Sequence, residues 1–465
     1  MAPANNIVWI TLDSVRADHT SLAGYERSTT PELVRIAGDA GGAWFENAFS
    51  SSIATPISSG SILTGTHPFR HGLRISNDYL PEELDTLPML LGDAGYRTAG
   101  ISTNSFFSSG TGLNRGFDQF KLLTGSTFFD EVPWSTIAKY AANIRRHSAG
   151  FTADTTKHAT PFVMNDILKQ WIPELVADDR PFFLYAHYNQ THRPYYPPLP
   201  YRDRYTDDIS VVPTEAAQIS LDVHHHAHEY IAHENPLSQT ELDALVAMYD
   251  AEIAYTDKMV GRLFDYVQSL DSDTVFIVTA DHGELLGESG LFSHTYVLRD
   301  ELTNVPLVTY GLDLGASGDD FVQHVDLTRT LVEMAGGRSD QLQGLDLRDE
   351  TRETVITQRA KNSLNHLVEY NPDFDPDWFI PGELTAFRDH EFKYVRGKTT
   401  EDAVLYRLPN ESTDVAAGNL EVKRCFEDAV TEWLASPQAE PIKAETVDRL
   451  TSEMKQQLRD LGYRE

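Results

Sequence analysis

Two apolar runs in this chain end in the same way. Ile7-Val8-Trp9-Ile10-Thr11-Leu12 delivers Asp13, and Thr274-Val275-Phe276-Ile277-Val278 leads through Thr279-Ala280 to Asp281-His282-Gly283-Glu284. Short continuous apolar runs fit strands buried on both faces, the condition of a parallel sheet covered by helices. Further strand-like runs at 97–103 and 181–188 alternate with helix-like stretches at 160–177 and 239–268. The alternation predicts an α/β fold, with a largely parallel sheet and helices on both of its faces. In such a sheet ligands bind beyond the carboxyl ends of the strands, where Asp13, Asp281 and His282 fall.

Carboxylate oxygens with one imidazole suit a divalent cation, whether Ca²⁺, Mg²⁺, Mn²⁺ or Zn²⁺, and the ligand types alone do not choose among them. An Asp-His pair after a strand is equally well a turn with a capping side chain. The weight comes from what surrounds it.

Thr11-Leu12-Asp13-Ser14-Val15-Arg16-Ala17-Asp18-His19, Thr30-Pro31-Glu32-Leu33 and Phe45-Glu46-Asn47-Ala48 are followed by Thr55-Pro56-Ile57-Ser58-Ser59-Gly60-Ser61-Ile62-Leu63-Thr64-Gly65 and His67-Pro68-Phe69-Arg70-His71-Gly72. Gly116-Phe117-Asp118, His192-Arg193-Pro194-Tyr195, Tyr249-Asp250-Ala251-Glu252-Ile253, Asp281-His282-Gly283-Glu284 and His324-Val325-Asp326-Leu327 continue the series. In this order they resemble the sulfatases of the alkaline-phosphatase superfamily over nearly the whole chain. The resemblance implies a three-layer α/β/α sandwich with a large, mostly parallel central sheet, followed by a small antiparallel sheet and a terminal helix. The expected division is a catalytic domain over 1–350 and an α+β subdomain over 351–465, with the last helix at 440–461 ending on Gly462.

The chain departs from the family's pattern at its centre. The family's nucleophile is a formylglycine made from Cys or Ser in a Cys/Ser-x-Pro-x-Arg motif. Counting back from Leu63-Thr64-Gly65 places Thr55 at that position, with Pro at 56 and Ser59 in place of the Arg. The single cysteine, Cys425, lies far down the chain. Thr cannot yield the same aldehyde, but a cation that binds its oxygen lowers the hydroxyl pKa and makes it a nucleophile. Phosphate-ester branches of the superfamily use Thr in this way, and their single-metal ligand set maps onto Asp13, Thr55, Asp281 and His282. Where sulfatases carry a second Asp, this chain has Ser14.

The implied chemistry is an in-line attack by Thr55 on sulfur or phosphorus, followed by release of the covalent ester by water. The resemblance places His192 near the leaving-group oxygen. His294 occupies the position of the family's anion-contacting Lys and is alternatively a further metal ligand. Thr55 also opens a helix, whose amino end offers N–H groups to a tetrahedral anion. The readings that remain open are a hydrolase of sulfate or phosphate esters, a phosphodiesterase or phospho-group transferase, and an inactive binding protein on the same fold.

Other residues have plainer explanations. Arg16, Asp18 and His19 read as turn and packing residues, Asp326 as a helix cap, and Asn104 as a candidate for the pocket wall. The His224–His228 cluster reads as a solvated loop or helix start within a long loop, about 195–240, over the pocket.

With 465 residues, 41% of them hydrophobic, the chain can fill a large and a small domain. Its 70 acidic against 38 basic residues give a net charge of −32, which is unsuited to nucleic acid and matches the solvating surface of a halophilic protein. No apolar stretch is long enough to span a membrane, and a first strand beginning at Ile7 leaves no room for a signal peptide. The expected location is the cytoplasm, and the expected partner is a small-molecule or glycan sulfate or phosphate ester.

Overall fold

The computed structural model describes residues 5–460 apart from 76–77, 126, 151, 153–156, 271, 363, 377, 443–444 and 447–449. Seven strands form the central sheet: β1 (Asn6–Leu12), β2 (Gly42–Trp44), β3 (Arg97–Ser102), β4 (Gln119–Leu122), β5 (Phe182–Tyr188), β6 (Thr274–Ala280) and β7 (Leu307–Tyr310). Their order across the sheet is β2-β7-β6-β1-β5-β3-β4. From β6 to β4 neighbours run parallel, while β7 lies antiparallel to both β6 and β2.

The apolar runs do not alternate because both faces of their strands are covered. Every residue of β5 and β6 is buried, as is β1 after Asn6. Register then fixes the site. Leu12 pairs with Ala280 and Thr11 with both Thr279 and His187, so three central strands end at one level.

Helices cover the sheet in a three-layer α/β/α arrangement. Among them are α1 (Thr55–Thr64), α2 (Pro161–Val176), α3 (Pro213–Ala232), α4 (Gln239–Gln268) and α5 (His324–Met334). The 30 residues of α4 start at a capping box, in which Ser238 and Glu241 each satisfy the other's backbone N–H. All ten residues of α1 are buried, and it stops at Gly65, whose φ of 64° is open to glycine at no steric cost. His324 Nε2 lies 3.0 Å from Thr279 Oγ1 and ties α5 to the end of β6.

The carboxyl-terminal part holds an antiparallel sheet of four strands, β8 (Val355–Asn362), β9 (Gly382–Arg388), β10 (Phe392–Arg396) and β11 (Ala403–Arg407), in that order. Helix α6 (Leu420–Ala435) packs on it around a separate core that includes Ile356, Tyr394, Leu405, Phe426 and Val430. The last helix among the described residues, α7 (Ser452–Asp460), starts at Ser452 and not at 440. Ahead of it the chain passes Pro441 and forms a strand at Glu445–Thr446 that pairs with Asp78–Tyr79. Gly462 lies outside the described residues.

The segment 195–240 is not one long loop, because α3 occupies 20 residues of it. Ala216, Ala217, Ser220, Val223, Ala227 and Ile231 recur at helical spacing and are buried, a period that outweighs the Pro-, Asp- and His-rich composition. His225 and His226 lie on the exposed side of this helix.

Candidate active site

Asp13 leaves β1 and Asp281 leaves β6 side by side, tied by the Asp281 N–H to Leu12 O bond of 3.3 Å. Ser14 follows at φ 60°, a left-handed conformation that costs a non-glycine residue about 1–3 kcal/mol. The turn directs the Ser14 N–H onto Asp281 Oδ1 at 3.1 Å, while the Ser14 hydroxyl donates to Asp13 Oδ1 at 3.0 Å. Asn104, just past β3, donates from Nδ2 to Asp13 Oδ2 at 3.3 Å. The Asn104 side chain therefore touches the site directly.

His282 follows Asp281, and its Nδ1 donates to Gly283 O at 2.8 Å. In the neutral ring this leaves the Nε2 lone pair facing the carboxylates, 3.9 Å from Asp13 Oδ1 and 3.7 Å from Asp281 Oδ2. Thr55 Oγ1, at the first residue of α1, is 3.2 Å from the same Nε2. Asp13, Asp281, His282 and Thr55 are all fully buried.

Two carboxylates in one dry pocket do not both ionise easily. Burial and the Asp281 charge push Asp13 up to about 7, against His187 and His282. Burial also works against ionised Asp281, but His282 and His187 outweigh it and hold Asp281 below its usual range. His282 is raised, since the two carboxylates prevail over burial. Asp13, Asp281 and His282 offer ligand atoms within 4.8 Å of one another. Donors at cation-ligand distances of about 2.1 Å sit roughly 3–4 Å apart around the ion, so these separations and this donor set fit a divalent cation.

His294 is close by but differently engaged. Its Nδ1 is 3.0 Å from Glu284 Oε1, and its ring centroid is 4.3 Å from that of His282. His192 comes next, with ring centroids 5.2 Å apart and its own Nδ1 donating to Arg193 O at 2.7 Å. Burial pulls both His192 and His294 well below the usual imidazole range and pushes Glu284 up. The four residues Asp13, Thr55, Asp281 and His282 thus form one cluster, and His192 and His294 line its flank.

The amino end of α1 is a poorer anion cradle than its length implies. Pro56 has no N–H, and the Ile57 and Ser58 N–H groups both turn back to Ala54 O at 3.0 and 2.9 Å. Sequence reasoning also left out His187 and Glu284. His187 lies inside an apolar strand run, where only its register beside the strand that delivers Asp13 marks it. Glu284 stands in the same motif as His282 but was given no role of its own.

A mostly parallel sheet covered by helices on both faces, with these groups at its carboxyl edge, defines an alkaline-phosphatase-like α/β/α fold. The chain belongs to the sulfatase family, whose sequence profile residues 5–337 match. An arylsulfatase of Clostridium perfringens is 25% identical over 394 residues, covering 76% of this chain and 80% of that one. The uncharacterized sulfatase YidJ of Escherichia coli is 24% identical over 389 residues, covering 79% and 74%. Among solved structures, the phosphonate monoester hydrolase of Agrobacterium radiobacter superposes with a TM-score of 0.71 at 19% identity, covering 97% of this chain and 98% of that one. BT4656, solved with D-glucosamine-2-N,6-O-disulfate, gives 0.68 at 18% identity, covering 94% and 98%. Among the described residues no helix is long and apolar enough to cross a membrane.

Proposed function

We propose that the protein is a metal-dependent hydrolase of sulfate or phosphorus esters in which Thr55 is the nucleophile. The observation that carries this reading is Thr55 Oγ1 at the start of a buried helix, 3.2 Å from His282 Nε2 and beside the paired Asp13 and Asp281. A divalent cation held by Asp13, Asp281, His282 and the Thr55 oxygen would lower the hydroxyl pKa and offset negative charge on the ester oxygens. Thr55, its hydroxyl proton given up to solvent, attacks sulfur or phosphorus in line; the S–O or P–O bond to the alcohol breaks, the alcohol departs with a proton from solvent, and Thr55 carries the group as an ester. An alkyl ester of this kind has no carbonyl through which to collapse, so water must release it. His192, neutral with Nδ1–H on Arg193 O, presents Nε2 as a lone-pair nitrogen suited to taking a proton from that water.

Charge narrows the substrate. Ser59 and His294 stand where the family's Arg and Lys would face the anion, and His294 is held neutral by burial. A site with few fixed positive charges favours a reacting group with one negative charge, such as a sulfate monoester, phosphonate monoester or phosphodiester, over a phosphate monoester dianion. Phosphorus is favoured by Thr55 itself, and sulfate by the sulfatase relatives. A sulfated or phosphorylated glycan is the substrate class we favour, since the structurally similar BT4656 was solved with a disulfated glucosamine.

The test is a parallel assay on nitrophenyl sulfate, bis-nitrophenyl phosphate and nitrophenyl phosphate, with Mn²⁺, Mg²⁺, Ca²⁺ or Zn²⁺ supplied in turn. Turnover of the first two above the third, lost in Thr55→Ala and Asp281→Ala, supports the proposal. Equal activity in wild type and Thr55→Ala sinks Thr55 as nucleophile, and silence of the wild type on all three substrates counts against a hydrolase of simple esters.

A further inference from the structure

His187, the next-to-last residue of β5, is fully buried and in register with Thr11 of β1. The Phe107 ring packs against it with centroids 4.7 Å apart. Its Nε2 lies 3.4 Å from Asp281 Oδ2 and 3.9 Å from Asp13 Oδ2, so one ring nitrogen faces both carboxylates.

The two oxygens of Asp281 have different surroundings. Oδ1 accepts the Ser14 N–H at 3.1 Å and the His282 N–H at 2.9 Å. Among the described residues Oδ2 faces imidazole nitrogens, His187 Nε2 at 3.4 Å and His282 Nε2 at 3.7 Å.

Whether His187 joins a ligand set or supports it depends on its proton. Nδ1 is buried and has no hydrogen-bond partner among the described residues. A buried N–H without an acceptor costs about 1–3 kcal/mol, so the proton of the neutral ring belongs on Nε2, where Asp281 Oδ2 accepts it. A protonated Nε2 has no lone pair to give to a cation. His282 is arranged the other way round, with its proton on Nδ1 toward Gly283 O and its Nε2 lone pair toward the carboxylates. The two rings approach the same oxygen with opposite tautomers.

We propose that His187 is a positioning residue for the cation site, its Nε2–H holding Asp281 Oδ2 beside Asp13 from outside the ligand set. This rests on the metal-dependent reading of the site. The physical role is to keep the two carboxyl groups together before a cation arrives, so that binding does not have to assemble them. Outer hydrogen bonds to metal-ligating groups typically contribute 10–100-fold in affinity.

The experiment is calorimetric titration of the full chain with Mn²⁺, and separately the visible absorption of its Co²⁺ form, in wild type, His187→Phe and His187→Gln. His187→Phe keeps a ring and removes the donor, while His187→Gln restores an N–H. The expected result is Mn²⁺ affinity roughly 10–100-fold weaker in His187→Phe and largely recovered in His187→Gln, with one Co²⁺ spectrum at saturation throughout. Wild-type affinity in His187→Phe overturns the proposal, leaving the ring as packing alone. A Co²⁺ spectrum altered in either variant also overturns it, since that makes His187 a ligand. If His187→Phe does not fold, the spectrum of His187→Gln decides by the same criterion. A wild-type chain that binds neither ion fails the metal-site reading itself, and with it this one.

Discussion

Asp281 is held by backbone N–H groups on one oxygen and faces imidazoles on the other, and the residues around it leave little room for substitution. A Cβ at Gly283 would lie 2.0 Å from the Glu301 carbonyl oxygen, so Gly283→Ala must displace the turn that carries His282. The expected cost is about 1–3 kcal/mol in urea unfolding, accompanied by weaker Mn²⁺ binding. An unchanged midpoint with unchanged binding would mean that the turn adapts freely. Much of this residue-scale picture was legible in the sequence, since strand ends and the Asp-His-Gly-Glu spacing gave Asp13, Asp281 and His282, and a count back from Leu63-Thr64-Gly65 gave Thr55. His187 was not, because a His inside an apolar run looks like a core residue until strand register sets it beside Asp13. The free N–H groups expected at α1 were overcounted for a local reason, the return of Ile57 and Ser58 to Ala54 O.

At the scale of elements, α5 depends on one buried acid. Asp326 accepts the Gln323 and Leu345 N–H groups, both at 2.8 Å, and the Arg352 guanidinium at 2.9 Å. The capping role expected for it is thus joined to a buried ion pair. Asp326→Ala strands the Arg352 charge and is expected to cost about 3–5 kcal/mol, measured as the shift in denaturant midpoint. A loss below about 1 kcal/mol would mean that water reaches Arg352. In α4, burial pushes Glu252 up to about 8, although the Gln190 amide and Tyr196 N–H favour its ionised form. A carboxyl whose folded-state pKa is raised gives stability that is complete below its unfolded value of 4.5 and is lost as pH rises through about 8. Unfolding between those values should therefore show a negative stability slope of up to about 1.4 kcal/mol per pH unit that Glu252→Gln removes. A slope unchanged in the variant would assign it to other groups. Helix and strand positions in the core were legible from periodicity, with α4 read at its observed limits. The carboxyl-terminal helix was read too long because Pro441 and the short pairing of Glu445–Thr446 with Asp78–Tyr79 are not periodic signals.

For the whole molecule, a net charge of −32 repels itself across the surface. Raising salt from about 0.1 M to 1 M shortens the screening length from roughly 10 Å to 3 Å. The melting temperature is expected to rise over that range, and a flat or falling Tm would remove surface repulsion as a factor in stability. Composition carried this expectation, and no particular contact is needed for it. Covalent catalysis at Thr55 is tested by rapid quenching of the Mn²⁺-supplemented protein with bis-nitrophenyl phosphate or nitrophenyl sulfate, followed by peptide mass spectrometry. A phospho or sulfo group is expected on the peptide containing Thr55, absent from Thr55→Ala and from unreacted protein. Sustained turnover with Thr55 unmodified at every quench time, or the same group on another residue, would contradict it.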